Sequence, residues 1–203
     1  MAPPMDVASI RRLSLPPRSR VRSTPLVGAH VRLAPIEPAD GPELWLAVNA
    51  SRAHLERWLP WVPFNDSLKS SQRYADACVK EWDEGKSLRF GIRATSDNSF
   101  LGVVSLDNCG HAHKNCDLGY WLHSEVTGHG YLTEAARACL RFAFEVIGFH
   151  RVRCAAATKN HKSLAVISRL GFAFEGISRE AEFVGGRWVD HAMFSLLAKE
   201  WQS

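Results

Sequence analysis

Hydrophobic and polar positions change their spacing several times along the chain. Short strand-like segments begin at residues 30, 88, 99, 117 and 151, and two more follow Gly171 with a Gly185-Gly186 turn between them. Apolar residues recur at helical spacing in four other segments, namely Leu44 to Val48, 69–84, Leu132 to Ile147 and Ser163 to Leu170. This order of elements predicts an α/β fold around a mixed sheet.

Length and composition fit one globular domain. The 203 residues are 46% hydrophobic and 23% charged, which is enough apolar material for a hydrophobic core. No run reaches the roughly 18 to 20 apolar residues of a membrane-spanning helix, and the N-terminal residues lack the apolar region of a secretory signal. We therefore expect a soluble protein with no membrane partner.

The five cysteines indicate a reducing compartment. They are odd in number, widely spread and free of CxxC pairs. A disulfide framework would need an even, closely patterned set, so we expect most of them to be small core residues. The predicted localisation is cytoplasmic.

The net charge of +4 belongs to the N-terminal segment. Residues 1–26 hold five arginines and one aspartate, whereas the rest of the chain holds 20 basic and 20 acidic residues. The segment also contains five prolines, which would interrupt the amphipathic helix of a transit peptide. We predict a flexible Arg/Pro-rich arm over residues 1–27, a neutral domain over residues 28–203, and no nucleic-acid partner.

Two segments allow more than one interpretation. Trp58, Trp61 and Phe64 lie in the proline-punctuated stretch "HLERWLPWVPF" and could either seal an edge of the core or line a pocket. The octet "CGHAHKNC", residues 109–116, could hold a metal, but four ligands within eight residues do not match the separated pairs of a structural zinc site. A connection between two strands is the preferred interpretation, and no metal is expected.

A glycine-containing turn precedes the long helix. Gly128 and Gly130 flank His129 directly before the helical pattern. Unpaired N–H groups and the helix dipole make such a helix start an anion site, and glycine lets a pyrophosphate approach the backbone. The pair is a weak signal alone. The chain has neither a Walker lysine pattern nor a dinucleotide fingerprint, which argues against ATP and NAD.

Four motifs together resemble the GNAT superfamily of acyl-CoA-dependent N-acetyltransferases, and within it the RimJ/RimL branch, which acetylates protein N-termini. They are "LGYWL", "GHGYLTEA", "TKNHKSLAVISRLGF" and "SREAEFVGGRWVDHAMFSLL", and the resemblance covers about residues 28–200. It implies a GNAT fold with a mixed, mostly antiparallel central sheet of about six or seven strands flanked by helices. It also implies acetyl-CoA as the acyl donor, an amine acceptor, and a monomer or homodimer.

The resemblance also assigns roles to residues. The CoA pyrophosphate would be held by the turn residues Thr127, Gly128, His129, Gly130, Tyr131 and Leu132. The pantetheine arm would pair with Tyr120, Trp121 and Leu122. A pantetheine amide would bond to Asn160. Ser163 corresponds to the general acid for the CoA thiolate, and Glu182 to the general base. Thr127 stands where the family usually has a basic residue, which removes one phosphate-attracting charge.

Each catalytic assignment has a structural alternative. Glu182 could be a solvated strand carboxylate, and alternation places Glu180 on the same strand face. Ser163 could be an ordinary residue of a helix start. Exposed surface positions are expected for His129 and His161, and a strand-edge contact for Asp190 and His191.

The pKa of an amine distinguishes the possible acceptors. A protein α-amine has a pKa of about 7.7 to 8.0 and a lysine about 10.4, so a single carboxylate suffices more readily for an α-amine. We therefore expect acetyl transfer to a protein N-terminus by direct attack in a ternary complex. The alternatives are another acyl donor such as succinyl-CoA, a lysine or small-molecule amine such as an antibiotic, and a sensor that binds acyl-CoA without turnover.

Overall fold

One eight-stranded sheet runs through the protein in a computed structural model, which describes residues 13–202. The strands are β1 (Leu26–Val27), β2 (Val31–Pro35), β3 (Leu88–Ala94), β4 (Phe100–Gly110), β5 (Asn115–Leu122), β6 (Arg151–Ala157), β7 (Ala173–Val184) and β8 (Arg187–Leu197). Their order across the sheet is β1-β2-β3-β4-β5-β6-β8-β7. All neighbours are antiparallel except β5 and β6, which are parallel. The mixed, mostly antiparallel α/β fold is thereby confirmed.

The strand count exceeds the predicted six or seven because of β1. In this strand Leu26 pairs with Leu33 and Val27 with Arg32. Two residues are too few to show an alternating pattern, so this strand was not predicted.

The helices cover both faces of the sheet. They are α1 (Arg18–Ser23), α2 (Gly41–Ala50), α3 (Arg52–Leu55), α4 (Leu68–Asp83), α5 (Tyr131–Arg141) and α6 (His161–Arg169). The predicted long helix continues from α5 as a π-helix over Phe142–Ile147, and it ends at Gly148, whose φ is 83°. The end of the helix was predicted and its change of winding was not.

Alternation along β4 and β5 separates two hydrophobic clusters. Val104 and Leu106 pack with α5 in the larger cluster, whereas Val103 and Trp121 pack with α2 and α4 in the smaller one. Side chains of successive strand residues point to opposite faces of a sheet, so these strands form the wall between the two clusters.

Part of the predicted N-terminal arm is packed against the domain. Val21 is buried, the indole N–H of Trp82 donates to the carbonyl oxygen of Pro16 at 3.3 Å, and Arg18 forms an ion pair with Glu37. The described residues 13–27 therefore differ from a flexible arm, because their apolar side chains find a place on the core. The prediction for residues 1–12 lies outside the described part of the chain.

The octet forms the hairpin connection between β4 and β5. Three of its four candidate ligands have clearly different surroundings. Cys116 is buried in the core, His113 is exposed, and His111 Nε2 lies 2.9 Å from the carbonyl oxygen of Gly85. Within residues 13–202, no three metal-binding side chains come together. All five cysteines are free thiols, and all except Cys109 are buried, as expected for core residues.

A helix that crosses a bilayer must be both long and apolar, and this also applies to the helices of residues 13–202. Each of them is too short or too polar to do so.

Candidate active site

The turn before α5 exposes a row of backbone N–H groups. Gly128 and Gly130 adopt left-handed conformations with φ of 93° and 84°, and Gly130 is the N-cap of α5. In the described structure no acceptor meets the N–H groups of residues 128–133, and the first paired one is that of Glu134, at 3.1 Å from Gly130 O. Among the described residues, a Cβ on either glycine would have nothing within 4 Å. Glycine is therefore required here by backbone conformation, and the result is an anion-binding helix start.

Glu134 fixes this helix start to the sheet. Its Oε1 accepts the N–H groups of His30 at 2.8 Å and Val31 at 3.3 Å, and its Oε2 lies 3.1 Å from His30 Nδ1. Gly28 packs so closely that a Cβ there would clash with the Glu134 carboxylate. This contact was not predicted, because it joins residues about a hundred positions apart in the sequence.

β5 and β6 separate after a short contact. Their register covers Asn115–Asp117 against residues 151–153, and beyond that point β6 pairs with β8 alone. His123 N–H donates to Leu101 O at 2.8 Å, so alternation directs the N–H groups of Tyr120 and Leu122 away from β4, toward the gap. The gap thus presents strand-like donors to an extended ligand.

Trp121 differs from its two neighbours. It pairs with Val103, so its backbone N–H is directed toward β4 and not toward the gap. Its ring packs at 6.2 Å from both Trp61 and Phe100, measured between ring centroids. Of the three residues predicted to pair with pantetheine, the geometry therefore favours Tyr120 and Leu122 for backbone contacts.

The first turn of α6 approaches the gap from the other side. Asn160 caps the helix, because its Oδ1 accepts the N–H of Ser163 at 3.2 Å, which leaves the amide nitrogen for another acceptor. The Ser163 hydroxyl lies 2.8 Å from the Tyr120 hydroxyl. Burial raises the pKa of Tyr120 well above its ordinary value. The Tyr120 side chain had no predicted role.

Glu182 lies at the open end of the gap. Its Oε2 is 3.4 Å from His191 Nε2, and its side chain is 34% exposed. His191 pairs with Ala157, the last residue of β6. Arg153 pairs with Asp117 on the parallel strand β5. Four residues further along each strand, Ala157 of β6 is therefore level with Trp121 of β5. Glu182 and the splayed part of β5 therefore flank one opening.

A bulge in β7 separates Glu182 from Glu180. Ser178 pairs with His191 and Glu182 with Val189, so four steps along β7 match two along β8. Glu180 has φ of 47° and donates its N–H to Asp190 Oδ1 at 2.8 Å. The expectation that both glutamates share a face is wrong, because a bulge breaks alternation. The predicted strand-edge contact of Asp190 and His191 is also wrong, since β8 lies between β6 and β7.

A cavity of about 460 Å³ lies on the face of β5 that carries the Trp121 side chain, under α2 and α4. Its walls are largely apolar and include Trp61, Phe64 and Trp121. The polar lining comprises Asn65, Ser70, Tyr74, Arg89, Ser105 and Asp107. Of the two alternatives for the aromatic segment, Phe64 fits the pocket wall, whereas Trp61 fits both, because it lines the cavity and also packs against the smaller core cluster.

The polar end of the cavity is an ionic cluster. Asp107 accepts Arg89 Nε at 3.0 Å and the Ser105 hydroxyl at 2.5 Å, and Arg89 also pairs with Glu81 at 2.8 Å. A Cβ on Gly119 would stand 2.8 Å from the Ser105 oxygen, so only glycine leaves this space free. This cluster was not predicted, because its members come from separate elements of the chain.

The remaining predicted site residues lie around the helix start. His129 and His161 are exposed, as expected, and the rings of His129 and Tyr131 lie 5.9 Å apart. Thr127 donates its hydroxyl to Ser124 O at 3.1 Å. Leu132 packs against the larger core cluster. His129 and Tyr131 thus stand beside the row of free N–H groups, whereas the Thr127 hydroxyl hydrogen is already bonded.

Comparisons with known proteins agree with this geometry. The family described as acetyltransferase (GNAT) domain matches residues 30–173. YdaF of Bacillus subtilis (strain 168), named provisionally as a ribosomal N-acetyltransferase, is 32% identical over 178 residues, which cover 87% of this chain and 96% of YdaF. The ribosomal protein uS5-alanine N-acetyltransferase of Escherichia coli (strain K12) is 27% identical over 148 residues, covering 70% of this chain and 76% of the enzyme.

Solved structures show the same fold. Mycobacterium smegmatis RimJ in complex with CoA-disulfide superposes with a TM-score of 0.80 at 28% identity, covering 85% of this chain and 84% of RimJ. RimL in complex with coenzyme A gives a TM-score of 0.81 at 22% identity, covering 84% of this chain and 96% of RimL. Because the family match spans more than half of the sequence, the resemblance is confirmed, and the chain belongs to the GNAT acetyltransferases.

Proposed function

We propose that the protein transfers the acetyl group of acetyl-CoA to the α-amine of a protein N-terminus, by direct attack in a ternary complex. Relatives named for acetylating ribosomal protein uS5 at alanine and a ribosomal protein at serine support this acceptor class. The observation that carries the proposal is the gap between β5 and β6, which opens between the free N–H groups of residues 128–133 and the pair Glu182 and His191.

The donor fits along this gap from phosphate to thioester. The N–H groups of residues 128–133 would bind the pyrophosphate, with His129 and Tyr131 at its rim. Pantetheine would lie beside β5 as an added strand, bonded by the N–H groups of Tyr120 and Leu122 and by the Asn160 amide nitrogen. One of these strand N–H groups would polarise the thioester carbonyl as the tetrahedral intermediate forms.

Glu182 and Ser163 serve the two proton transfers. The neutral amine attacks the thioester carbon, and Glu182 takes the proton that the attacking nitrogen loses, directly or through water. The carbon–sulfur bond then breaks, and Ser163 donates a proton to the thiolate. An α-amine with a pKa of about 7.7 to 8.0 is partly neutral at pH 7, so one carboxylate is sufficient.

The cavity under α2 and α4 offers room for the acceptor beside this chemistry. Its volume of about 460 Å³ lies within the range of small-ligand pockets. Gly119, Tyr120 and Trp121 border both the cavity and the gap. An N-terminal residue whose amine reaches the thioester would place its side chain in this cavity, against Trp61 and Trp121.

A thiol-release assay tests the proposal. One set of peptides has a free N-terminal alanine or serine and no lysine. The other set has the same sequences except that the N-terminus is blocked and one lysine is added. We expect faster release with the free N-termini, and faster release from acetyl-CoA than from succinyl-CoA. Faster turnover of the lysine peptides would contradict the α-amine acceptor. CoA binding with no release for any amine would identify a sensor instead.

A further inference from the structure

Two hydroxyl groups meet where β5 faces the first turn of α6. The Tyr120 and Ser163 hydroxyl oxygens lie 2.8 Å apart, a normal hydrogen-bond distance. The Tyr120 hydroxyl also has the Ser163 carbonyl oxygen at 3.5 Å, at the limit for such a bond. The Tyr120 ring packs against the larger core cluster, so its position is fixed from behind.

The chemistry of the two groups decides which one donates. A phenol with a pKa near 10 is a better donor than an aliphatic alcohol. If Ser163 donated instead, the Tyr120 hydrogen would have, within residues 13–202, only the distant carbonyl oxygen and the thiol of Cys154 as partners. Burial raises the pKa of Tyr120, which keeps the phenol protonated throughout the working pH range. Tyr120 therefore donates to Ser163.

A Ser163 oxygen that accepts from Tyr120 has its own hydrogen free for a third group. The backbone of Ser163 is held by Asn160, and its side chain by Tyr120. We propose that Tyr120 is a positioning residue, which orients the Ser163 hydroxyl to donate toward the sulfur of the departing CoA. This inference rests on the proposed function, because it assigns how the same leaving step is assisted.

The proposed step balances with the groups named. The amine nitrogen bonds to the carbonyl carbon, and its proton passes to Glu182. The carbon–sulfur bond breaks with its electron pair on sulfur, and the sulfur takes the Ser163 proton, which solvent later replaces. Tyr120 keeps its own proton and stabilises the charge that develops on the Ser163 oxygen through their hydrogen bond.

Changing the leaving group distinguishes this role from simple packing. Rates of Tyr120→Phe, Ser163→Ala and the double variant are measured with acetyl-CoA and with the acetyl selenoester of the selenium analogue of CoA, which leaves as a much weaker base. With acetyl-CoA we expect Tyr120→Phe to lower kcat about tenfold and Ser163→Ala roughly a hundredfold. The double variant should be no slower than Ser163→Ala, and the selenoester should reduce each loss to about twofold.

Cys154→Ala provides the control, because it removes a neighbour of Tyr120 and leaves both hydroxyls in place. It should destabilise the protein without changing the ratio of thioester to selenoester rates. This ratio does not depend on the folded fraction of a preparation. Equal losses of Tyr120→Phe with both donors, or additive losses in the double variant, would overturn the inference alone. Failure of the wild-type protein to acetylate any α-amine would instead overturn the proposed function.

Discussion

Glu182 Oε2 lies 3.4 Å from His191 Nε2, on the adjacent strands β7 and β8. The β7 bulge directs Glu182 to this contact and places Glu180 in a separate contact with Asp190. Two glutamates that are close in sequence thus occupy different environments. We infer that Glu182, and not Glu180, faces the gap in which the thioester is proposed to lie.

This difference predicts the outcome of neutralising each glutamate. Glu182→Gln should lower kcat with an N-terminal peptide by about 10² to 10⁴, because the attacking amine loses its proton acceptor. CoA affinity, measured by calorimetry, should stay within about twofold. Glu180→Gln is the matched control and should retain nearly full activity. A similar loss in both variants would show that general charge, and not the position of Glu182, is responsible.

The left-handed glycines before α5 should be required for CoA binding. Alanine at Gly128 or Gly130 strains the backbone by about 1 to 2 kcal/mol and turns N–H groups away from the pyrophosphate. We expect the Kd for CoA to rise roughly tenfold. Gly171→Ala is the control. Among the described residues, Gly171 resembles the two turn glycines in its φ of 81° and in having no atom within 4 Å of an added Cβ, but it follows α6 and is not at the start of α5. It should lower stability equally without changing the Kd.

Thr127 offers a gain of function. A lysine there would place a cation beside the free N–H groups, so Thr127→Lys should tighten CoA binding about threefold, and more at low salt. Thr127→Gln gives a side chain of similar reach without the charge. Calorimetry at two salt concentrations should find tighter binding only in the lysine variant. Equal affinities would mean that the phosphates lie elsewhere.

The contact of Glu134 with His30 should make stability sensitive to acid. Burial of the carboxylate favours a higher pKa, but hydrogen bonds from the His30 and Val31 N–H groups and the His30 ring outweigh it and lower the pKa of Glu134. A carboxyl whose folded-state pKa is lowered stabilises the fold above its unfolded pKa, and this stabilisation is lost as the pH falls through the folded value. The loss should therefore begin near pH 4.3.

Glu134→Gln should remove this part of the acid sensitivity. We expect the variant to be about 1 kcal/mol less stable than wild type at pH 7. The difference should shrink below about pH 4.3, as measured by denaturant unfolding across pH. Glu125→Gln is the control, since the exposed Glu125 carboxylate forms no hydrogen bond or ion pair within residues 13–202. A constant difference at all pH values would exclude the charge of Glu134 as its cause.

The sequence predicted the elements and the helix start well, because periodicity and glycine position are local properties. It did not predict the contacts that connect distant elements. Two examples are the contact of Glu134 with His30 and that of Tyr120 with Ser163. Both contacts depend on which strands and helices become neighbours. The β7 bulge was equally hidden, since "REAEFVGG" reads as an ordinary alternating strand and its extra residues appear only against the pairing with β8.

The short register between β5 and β6 has a mechanical consequence. Through it, three residue pairs connect the first five strands to the last three. A pantetheine arm lying in the gap would add contacts between these two halves of the sheet. Amide hydrogens at the ends of both strands should then exchange with solvent more slowly once CoA is bound, so the cosubstrate would complete the sheet it reacts on.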